Sequence, residues 1–158
     1  MFLKEYKIKD MDYINILKQE VIKGIDKYHS YRTNVKGKMT YWKFFTHQSK
    51  NFQKVKDLLY EYHMYEAWGN ILNKGDFVDK HNHKGDHENF PVTASGVLYL
   101  TDIGPGTHFV DFDKIIKPEI GKIIVFSPKY DHLVEKYDGN ENRITIAFNG
   151  RIKEKYEF

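Results

Sequence analysis

The hydrophobic period of this chain changes at about residue 65, and this change constrains the fold more than any other feature of the sequence. Before it, apolar residues recur three and four positions apart. After it, apolar and polar residues alternate, and Gly, Pro, Asp and Asn interrupt the alternation every several residues. The first pattern is typical of amphipathic helices and the second of short, half-buried strands. The sequence therefore predicts a mainly β domain, a sandwich or barrel, with N-terminal helices packed against one sheet.

Two helices and seven strands are predicted from these patterns. An apolar stripe over residues 11–25 predicts the first helix, and a second stripe predicts a helix over residues 49–62. In the last strand, the even-numbered residues from Ile144 to Phe148 are apolar, whereas the odd-numbered residues from Arg143 to Asn149 are mostly polar. One face should pack against the helices and the other should line a polar cavity. The predicted strands are residues 65–72, 77–83, 92–100, 107–112, 122–126, 132–136 and 143–149.

Length and composition limit the classes of function. With 158 residues, 41% of them hydrophobic, the chain suits a single domain, in which residues 1–64 form a helical region and residues 65–150 form the β core. The net charge of +3 is spread along the chain and gives no sign of a nucleic-acid partner. No apolar run approaches the ~20 residues of a membrane helix and no signal sequence is recognisable, so we expect a cytoplasmic protein without a membrane partner. Nothing in these patterns predicts an oligomeric state.

The segment His81-Asn82-His83 is the clearest candidate for a metal site. The chain has no cysteine, so any metal must be held by nitrogen and oxygen. Side chains alternate along a strand, so His81 and His83 point to one face and can reach the same ion, while Asn82 points away. A further ligand must come from another strand. Farther along, Arg143 is suited to bind a carboxylate because its guanidinium is planar, always charged and bidentate.

Taken in order, these residues resemble the 2-oxoglutarate- and Fe(II)-dependent oxygenases, particularly the small microbial and phage members related to prolyl hydroxylases. The similarity covers residues 68–149. In that family a His-x-Asp pair, a distal His and an Arg shortly after it lie on a double-stranded β-helix, also called a jelly roll. His81 matches the first ligand, His132 matches the distal ligand, and Arg143 with Thr145 fits the family's Arg-x-Ser/Thr pattern.

The resemblance implies a jelly-roll enzyme that uses Fe(II), 2-oxoglutarate as cosubstrate and O2. Such an enzyme hydroxylates an unactivated C–H bond and releases succinate and CO2. Its substrate would be a peptide or protein side chain, as for prolyl hydroxylases, or a small molecule. Residues 97–100 resemble the strand that places a tyrosine beside the cosubstrate. The implied catalytic metal ligands are His81, His83 and His132. The implied 2-oxoglutarate contacts are Arg143, Thr145, Tyr99 and, lining the pocket, Asn70.

The second metal ligand departs from the family pattern. The family usually has Asp where this chain has His83, so two histidines and one carboxylate would become three histidines. Neutral imidazoles bind divalent iron or zinc well, but the site is then one unit more positive, a charge that dianionic 2-oxoglutarate would offset. Alternatively, Asp86 or Glu88 in the following loop provides the anionic ligand and His83 does not bind the metal. Strand geometry favours His83.

A cupin, which is a β-barrel of related architecture, is the alternative interpretation. Gly75, His81, His83 and Glu88 closely match the first metal motif of that superfamily. With His132 as the remaining ligand, the protein would be a cofactor-free dioxygenase, an isomerase or a sugar-binding module. The Arg-x-Thr pattern in the last strand favours the oxygenase.

Overall fold

Eleven strands and two α-helices form the part of the chain that the computed structural model describes, residues 1–25, 34–85 and 90–154. The helices are α1 (Met11–Ile25) and α2 (Gln53–Leu58), and a one-turn π-helix precedes α2 at Phe44–Gln48. The strands are β1 (Leu3–Lys7), β2 (Val35–Lys36), β3 (Lys38–Met39), β4 (Tyr62–Leu72), β5 (Phe77–His81), β6 (Ala94–Tyr99), β7 (Thr107–Phe109), β8 (Lys114–Ile116), β9 (Lys122–Phe126), β10 (His132–Val134) and β11 (Arg143–Ile152).

The strands form two antiparallel sheets that pack as a jelly roll. The six-stranded sheet has the order β1-β9-β6-β11-β4-β3, and the five-stranded sheet has the order β2-β5-β10-β7-β8. In the first sheet β11 lies between β4 and β6, and in the second β10 lies between β5 and β7. The mainly β fold with N-terminal helical structure, predicted from the change of period, is confirmed.

The alternation along β11 separates two layers. Ile144, Ile146 and Phe148 belong to the main core, which also contains the apolar stripe of α1. A Cβ on Gly69 of β4 would lie 2.7 Å from the Val21 side chain, so this glycine allows α1 to approach the sheet closely. Each large side chain buried here stabilises the fold by about 1.5–3 kcal/mol relative to exposure. The opposite face of β11 is left to face the five-stranded sheet.

Some predicted boundaries are wrong. The second helix is shorter than residues 49–62, because Tyr62 already pairs with Ile152 in β4 and β11. The sequence patterns do not predict β1, β2, β3 or β8. Three of these strands have only two or three residues, too few to show alternation, and β1 is an edge strand with mostly exposed side chains. Strand β5 ends at His81, so His83 lies beyond the strand in which it was predicted.

In the described part of the chain, no helix is both long enough and apolar enough to cross a membrane.

Candidate metal centre and anion pocket

Three imidazoles converge between the two sheets. His81, the last residue of β5, is paired directly with His132, the first residue of β10. His83 follows in the loop, where its backbone N–H donates to the Pro128 carbonyl at 2.9 Å. The ring centroids of His81 and His132 are 4.3 Å apart. The centroid of the His83 ring lies 4.9 Å from that of His81 and 5.1 Å from that of His132. One ligand nitrogen of each ring lies within 4.8 Å of the others.

Backbone carbonyls orient two of these rings. Nδ1 of His81 lies 2.7 Å from the Asp79 carbonyl oxygen, and Nδ1 of His132 lies 3.0 Å from that of Tyr130. A carbonyl oxygen can only accept, so each Nδ1 has the proton and donates it. In a neutral ring the lone pair is then on Nε2, the arrangement in which metal-binding histidines are usually held.

The surroundings of the imidazoles are mostly apolar. His132 and His83 are 5% and 7% exposed, whereas His81 is half-buried. The rings of Phe126 and Phe109 lie 5.0 and 5.9 Å from His132, centroid to centroid. Trp68 lies 6.3 Å from His83 on the facing sheet. These aromatic walls limit the access of water to the site.

The donor set fits a divalent transition metal. Three neutral nitrogens suit Fe(II) or zinc, with bonds of about 2.0–2.1 Å for zinc. Such bonds place ligand nitrogens roughly 3 Å apart, and those of the cluster lie within 4.8 Å of one another. Among the residues described, no Asp or Glu belongs to the cluster. The alternative ligands Asp86 and Glu88 lie outside the described residues, and so does the fourth ligand of the cupin interpretation.

Arg143 is buried, and its guanidinium has no anionic partner among the described residues. Its side chain is 3% exposed, and Nε donates to the Pro105 carbonyl at 2.8 Å. The guanidinium carbon lies 5.9 Å from the ring centroid of Tyr99, and no carboxylate of the described residues pairs with it. Burial lowers the pKa of the Arg143 guanidinium, although Tyr99 and Tyr137 oppose this effect. A buried cation is costly unless an anion compensates it, so the position is suited to bind a carboxylate.

One cavity joins the imidazoles to Arg143. The cavity volume is about 60 Å³, several times the roughly 10–15 Å³ that one water molecule needs. Along β11, Ala147 pairs with Trp68 near His83, and Arg143 lies four residues away, about 13 Å of extended strand. The cavity lining includes His81, His83, His132, Arg143, Thr145 and Asn70.

The predicted cosubstrate residues differ in their positions. Thr145 and Asn70 pair across β11 and β4 and both line the cavity. The Asn70 Oδ1 atom is buried and has no hydrogen-bond partner in the part of the chain that the structure describes. Tyr99 pairs with Thr145 on the other side, but its ring packs in the core against Phe109 and is not part of the lining. Burial raises the pKa of the Tyr99 phenol, which therefore stays protonated.

The cavity is also lined by Thr107, which the sequence interpretation missed, and by Asn34 and Val35, for which it named no individual role. The Thr107 hydroxyl forms a hydrogen bond with the Tyr99 hydroxyl. Thr107 begins a predicted strand and shares a face with apolar Phe109, two residues later, so its inward orientation could have been found from parity. Asn34 and Val35 had no such signal, since β2 has only two residues.

No protein-family model matches the sequence, and no curated protein matches it. Solved structures do match: over its full length the chain has the fold of the 2-oxoglutarate- and Fe(II)-dependent oxygenases. The viral collagen prolyl hydroxylase vCPH from Paramecium Bursaria Chlorella virus-1, in a 2-oxoglutarate complex, has a TM-score of 0.75 and 16% identity, covering 97% of both chains. A Pseudomonas putida prolyl-4-hydroxylase has a TM-score of 0.72 and 16% identity, covering 96% of this chain and 93% of its own. HygX from Streptomyces hygroscopicus, with nickel and 2-oxoglutarate bound, has a TM-score of 0.71 and 11% identity, covering 96% and 83%.

Proposed function

We propose that the protein is an Fe(II)- and 2-oxoglutarate-dependent dioxygenase that hydroxylates an unactivated C–H bond, first of all on a peptide or protein side chain. One observation is central to this proposal. A cluster of three imidazoles lines the same cavity as a buried guanidinium that no carboxylate of the described residues pairs with. A dicarboxylate with a metal-chelating end satisfies both groups at once, because its distal carboxylate neutralises Arg143 while its keto-acid end lies at the metal.

The imidazoles of His81, His83 and His132 are the proposed iron ligands. When bound, ferrous iron supplies the oxidative decarboxylation of 2-oxoglutarate that is coupled to hydroxylation. The chain contributes the geometry: the Asp79 and Tyr130 carbonyls hold two rings through Nδ1, so that Nε2 is the proposed metal-binding atom, and the aromatic walls exclude water. Because all three ligands are neutral, the dianionic cosubstrate balances the charge of the ion.

The cosubstrate contacts differ in kind. Arg143 is proposed to bind the distal carboxylate through its terminal amino groups, since Nε is already bonded to Pro105. Thr145 lines the cavity beside it and is proposed to donate a hydrogen bond from its hydroxyl to the same carboxylate. The proposed contribution of Tyr99 is through Thr107, with which it shares a hydrogen bond. Asn70, with a buried amide oxygen that no described residue hydrogen-bonds, is proposed to contact the ligand from β4.

The substrate class is proposed from the relatives. Two of the similar structures are described as prolyl hydroxylases, which supports a peptide or protein side chain. Another structure of HygX holds hygromycin B together with nickel and 2-oxoglutarate, which supports a small molecule as the second candidate.

The first test is spectroscopic. Fe(II) and then 2-oxoglutarate are added to the protein without oxygen, and the visible charge-transfer band of a chelated keto acid is expected. A cupin that uses no cosubstrate, or a binding module, should show no band, and its absence would contradict the proposal. Peptides from a cell lysate are then incubated with the loaded protein, 2-oxoglutarate and oxygen. Mass spectrometry should detect added oxygen on a peptide only when 2-oxoglutarate is present.

A further inference from the structure

We propose that the turn at residues 103–106 positions the Arg143 guanidinium and thereby selects the chain length of the dicarboxylate that the cavity binds. This inference rests on the proposed function, because it takes the keto acid to reach from the imidazoles to Arg143. The turn connects β6 to β7 and contains Gly104, Pro105 and Gly106. These three residues line an outer cleft and not the cavity, so Arg143 lies between the turn and the cavity.

Pro105 fixes the direction of the guanidinium. Its carbonyl accepts the Nε–H of Arg143 at 2.8 Å, the single hydrogen bond that this side chain makes within the described residues. With Nε occupied, an entering carboxylate meets the two terminal amino groups and approaches along the axis of the side chain. The position of the guanidinium along this axis then sets the gap between carboxylate and imidazoles.

Gly104 determines how far the arginine is withdrawn from the cavity. It has a φ of +81°, which L side chains rarely adopt, and a Cβ there would lie 2.9 Å from Cδ of Arg143. The turn itself cannot retreat, because a Cβ on Gly106 would lie only 2.2 Å from the Ile116 carbonyl oxygen of β8. The side chain of Arg143 is thus seated directly against a fixed glycine.

A side chain at residue 104 would push Arg143 toward the cavity. Carbon atoms in contact prefer a separation of about 3.5–4.0 Å, so Cδ would move by roughly 0.6–1 Å. The Tyr99 ring centroid lies 5.9 Å from the guanidinium carbon, and Tyr137 ring carbons lie 3.3 Å from a Cβ at residue 104, whereas the cavity is open on the side of Arg143 away from the turn. The gap between guanidinium and imidazoles would shorten. A four-carbon 2-oxo dicarboxylate should then fit better, relative to the five-carbon one, than it does in the native cavity.

The test compares Gly104→Ala with Gly75→Ala. Gly75 has a similar φ of +92°, but a Cβ there meets nothing within 4 Å, so this control imposes the backbone strain without the contact. Iron-loaded proteins without oxygen are titrated calorimetrically with fresh oxaloacetate, 2-oxoglutarate and 2-oxoadipate. A fourth ligand, 2-oxopentanoate, lacks the distal carboxylate and reports on the metal end alone.

Gly104→Ala should lose about tenfold in 2-oxoglutarate affinity, the effect of weakening a charged hydrogen-bonded pair. Its affinity for oxaloacetate should be kept or improved, and 2-oxopentanoate and iron should bind as in the native protein. Gly75→Ala should keep the native preference. The inference is overturned if Gly104→Ala keeps the native ratio of 2-oxoglutarate to oxaloacetate affinity, or if Gly75→Ala changes that ratio equally.

A second variant covers the case in which Gly104→Ala does not fold. Pro105→Ala keeps the carbonyl but frees the backbone φ that the proline ring fixes, so the turn should hold Arg143 less firmly. The preference for 2-oxoglutarate over both its shorter and its longer homologue should fall severalfold, and an unchanged preference would overturn the inference. Native protein that binds iron but no 2-oxoglutarate would instead contradict the proposed function itself.

Discussion

His132 lies directly opposite His81 in the antiparallel pairing of β10 with β5, and their imidazole centroids are 4.3 Å apart. This register places two rings from distant parts of the sequence on one side of the five-stranded sheet. Each ring is also bonded through Nδ1 to the carbonyl of the residue two positions before it. The strand pairing and these local hydrogen bonds therefore preorganise two nitrogens before any metal arrives.

Replacing His132 by Ala should abolish metal binding. Loss of one of three ligand nitrogens should lower metal affinity by more than the ~10–100-fold that is typical of losing a residue hydrogen-bonded to a ligand. Fe(II) or Ni(II) affinity is measured by titration of the metal-free protein. The control is His47→Ala, since His47 is exposed and does not belong to the cluster. Equal metal affinity in the native protein and the His132 variant would exclude this residue as a ligand.

Replacing His83 by Asp should change metal preference and not only affinity. Imidazole favours zinc and copper, whereas carboxylate favours manganese, so the ratio of Zn(II) to Mn(II) affinity should fall, by about tenfold. The ratio is measured by competition with a chromogenic chelator. The matched variant is Glu88→Ala, which should leave both affinities nearly unchanged if three histidines suffice.

Severe loss of metal in the Glu88 variant, with little effect at His83, would reverse this assignment. It would support the four-ligand site of the cupin interpretation. If the ratio of Zn(II) to Mn(II) affinity is unchanged in His83→Asp and the Glu88 variant binds metal normally, Asp86 is instead the candidate ligand.

Replacing Arg143 by Gln should weaken 2-oxoglutarate binding and leave iron binding intact. Hydrogen bonds to charged groups contribute about 1.5–3 kcal/mol, which corresponds to roughly 10–150-fold in affinity. Arg143→Lys should restore only part of this, because an ammonium cannot bind a carboxylate bidentately. Arg151→Gln, on the same strand but outside the cavity lining, is the control. Parallel loss of iron and keto acid in the Arg143 variants would argue against a role at the distal carboxylate.

The hydrogen bond between Tyr99 and Thr107 gives a prediction about coupling. Tyr99→Phe and Thr107→Val should each weaken 2-oxoglutarate binding by about 0.5–1.5 kcal/mol, the contribution of a neutral hydrogen bond. The double variant should lose much less than the sum, because Tyr99 acts by orienting Thr107. Calorimetry on the four proteins completes the cycle. Additive losses, or a much larger loss for Tyr99→Phe alone, would mean that the phenol contacts the ligand directly.

The fold was predictable because its signals are local and repeated. Alternation along β11 correctly assigned Ile144 and Ile146 to the helix side and Arg143 and Thr145 to the cavity side. Parity could not decide whether Tyr99 reaches the cavity or packs in the core, because a side chain on the cavity-side face of β6 can do either. That choice depends on neighbours such as Phe109, which come from the other sheet.

Other parts of the site have no sequence signature. The contact of Arg143 with Pro105 uses a backbone carbonyl, which any residue has, so no pattern indicates it. Asn34 lines the cavity beside a strand of two residues, too short for periodicity. His83 was placed on the correct side, although it lies past the end of β5, because the backbone continues far enough to keep its ring near His81. The hydrogen bond from its backbone N–H to the Pro128 carbonyl holds it there.

The buried phenol of Tyr99 should make the protein less stable at high pH. Burial raises the pKa of Tyr99 above the ordinary value of about 10, so its stabilising contribution is complete below about pH 10 and is lost as pH rises further. The reason is that the unfolded chain releases this proton while the folded chain retains it. Free energies of unfolding in urea, measured from pH 8 upward, should fall less steeply above pH 10 in Tyr99→Phe than in the native protein. Tyr60→Phe is the control, because Tyr60 is 70% exposed and should leave the slope unchanged. If Tyr99→Phe has the native slope, the phenol is not kept protonated by the fold.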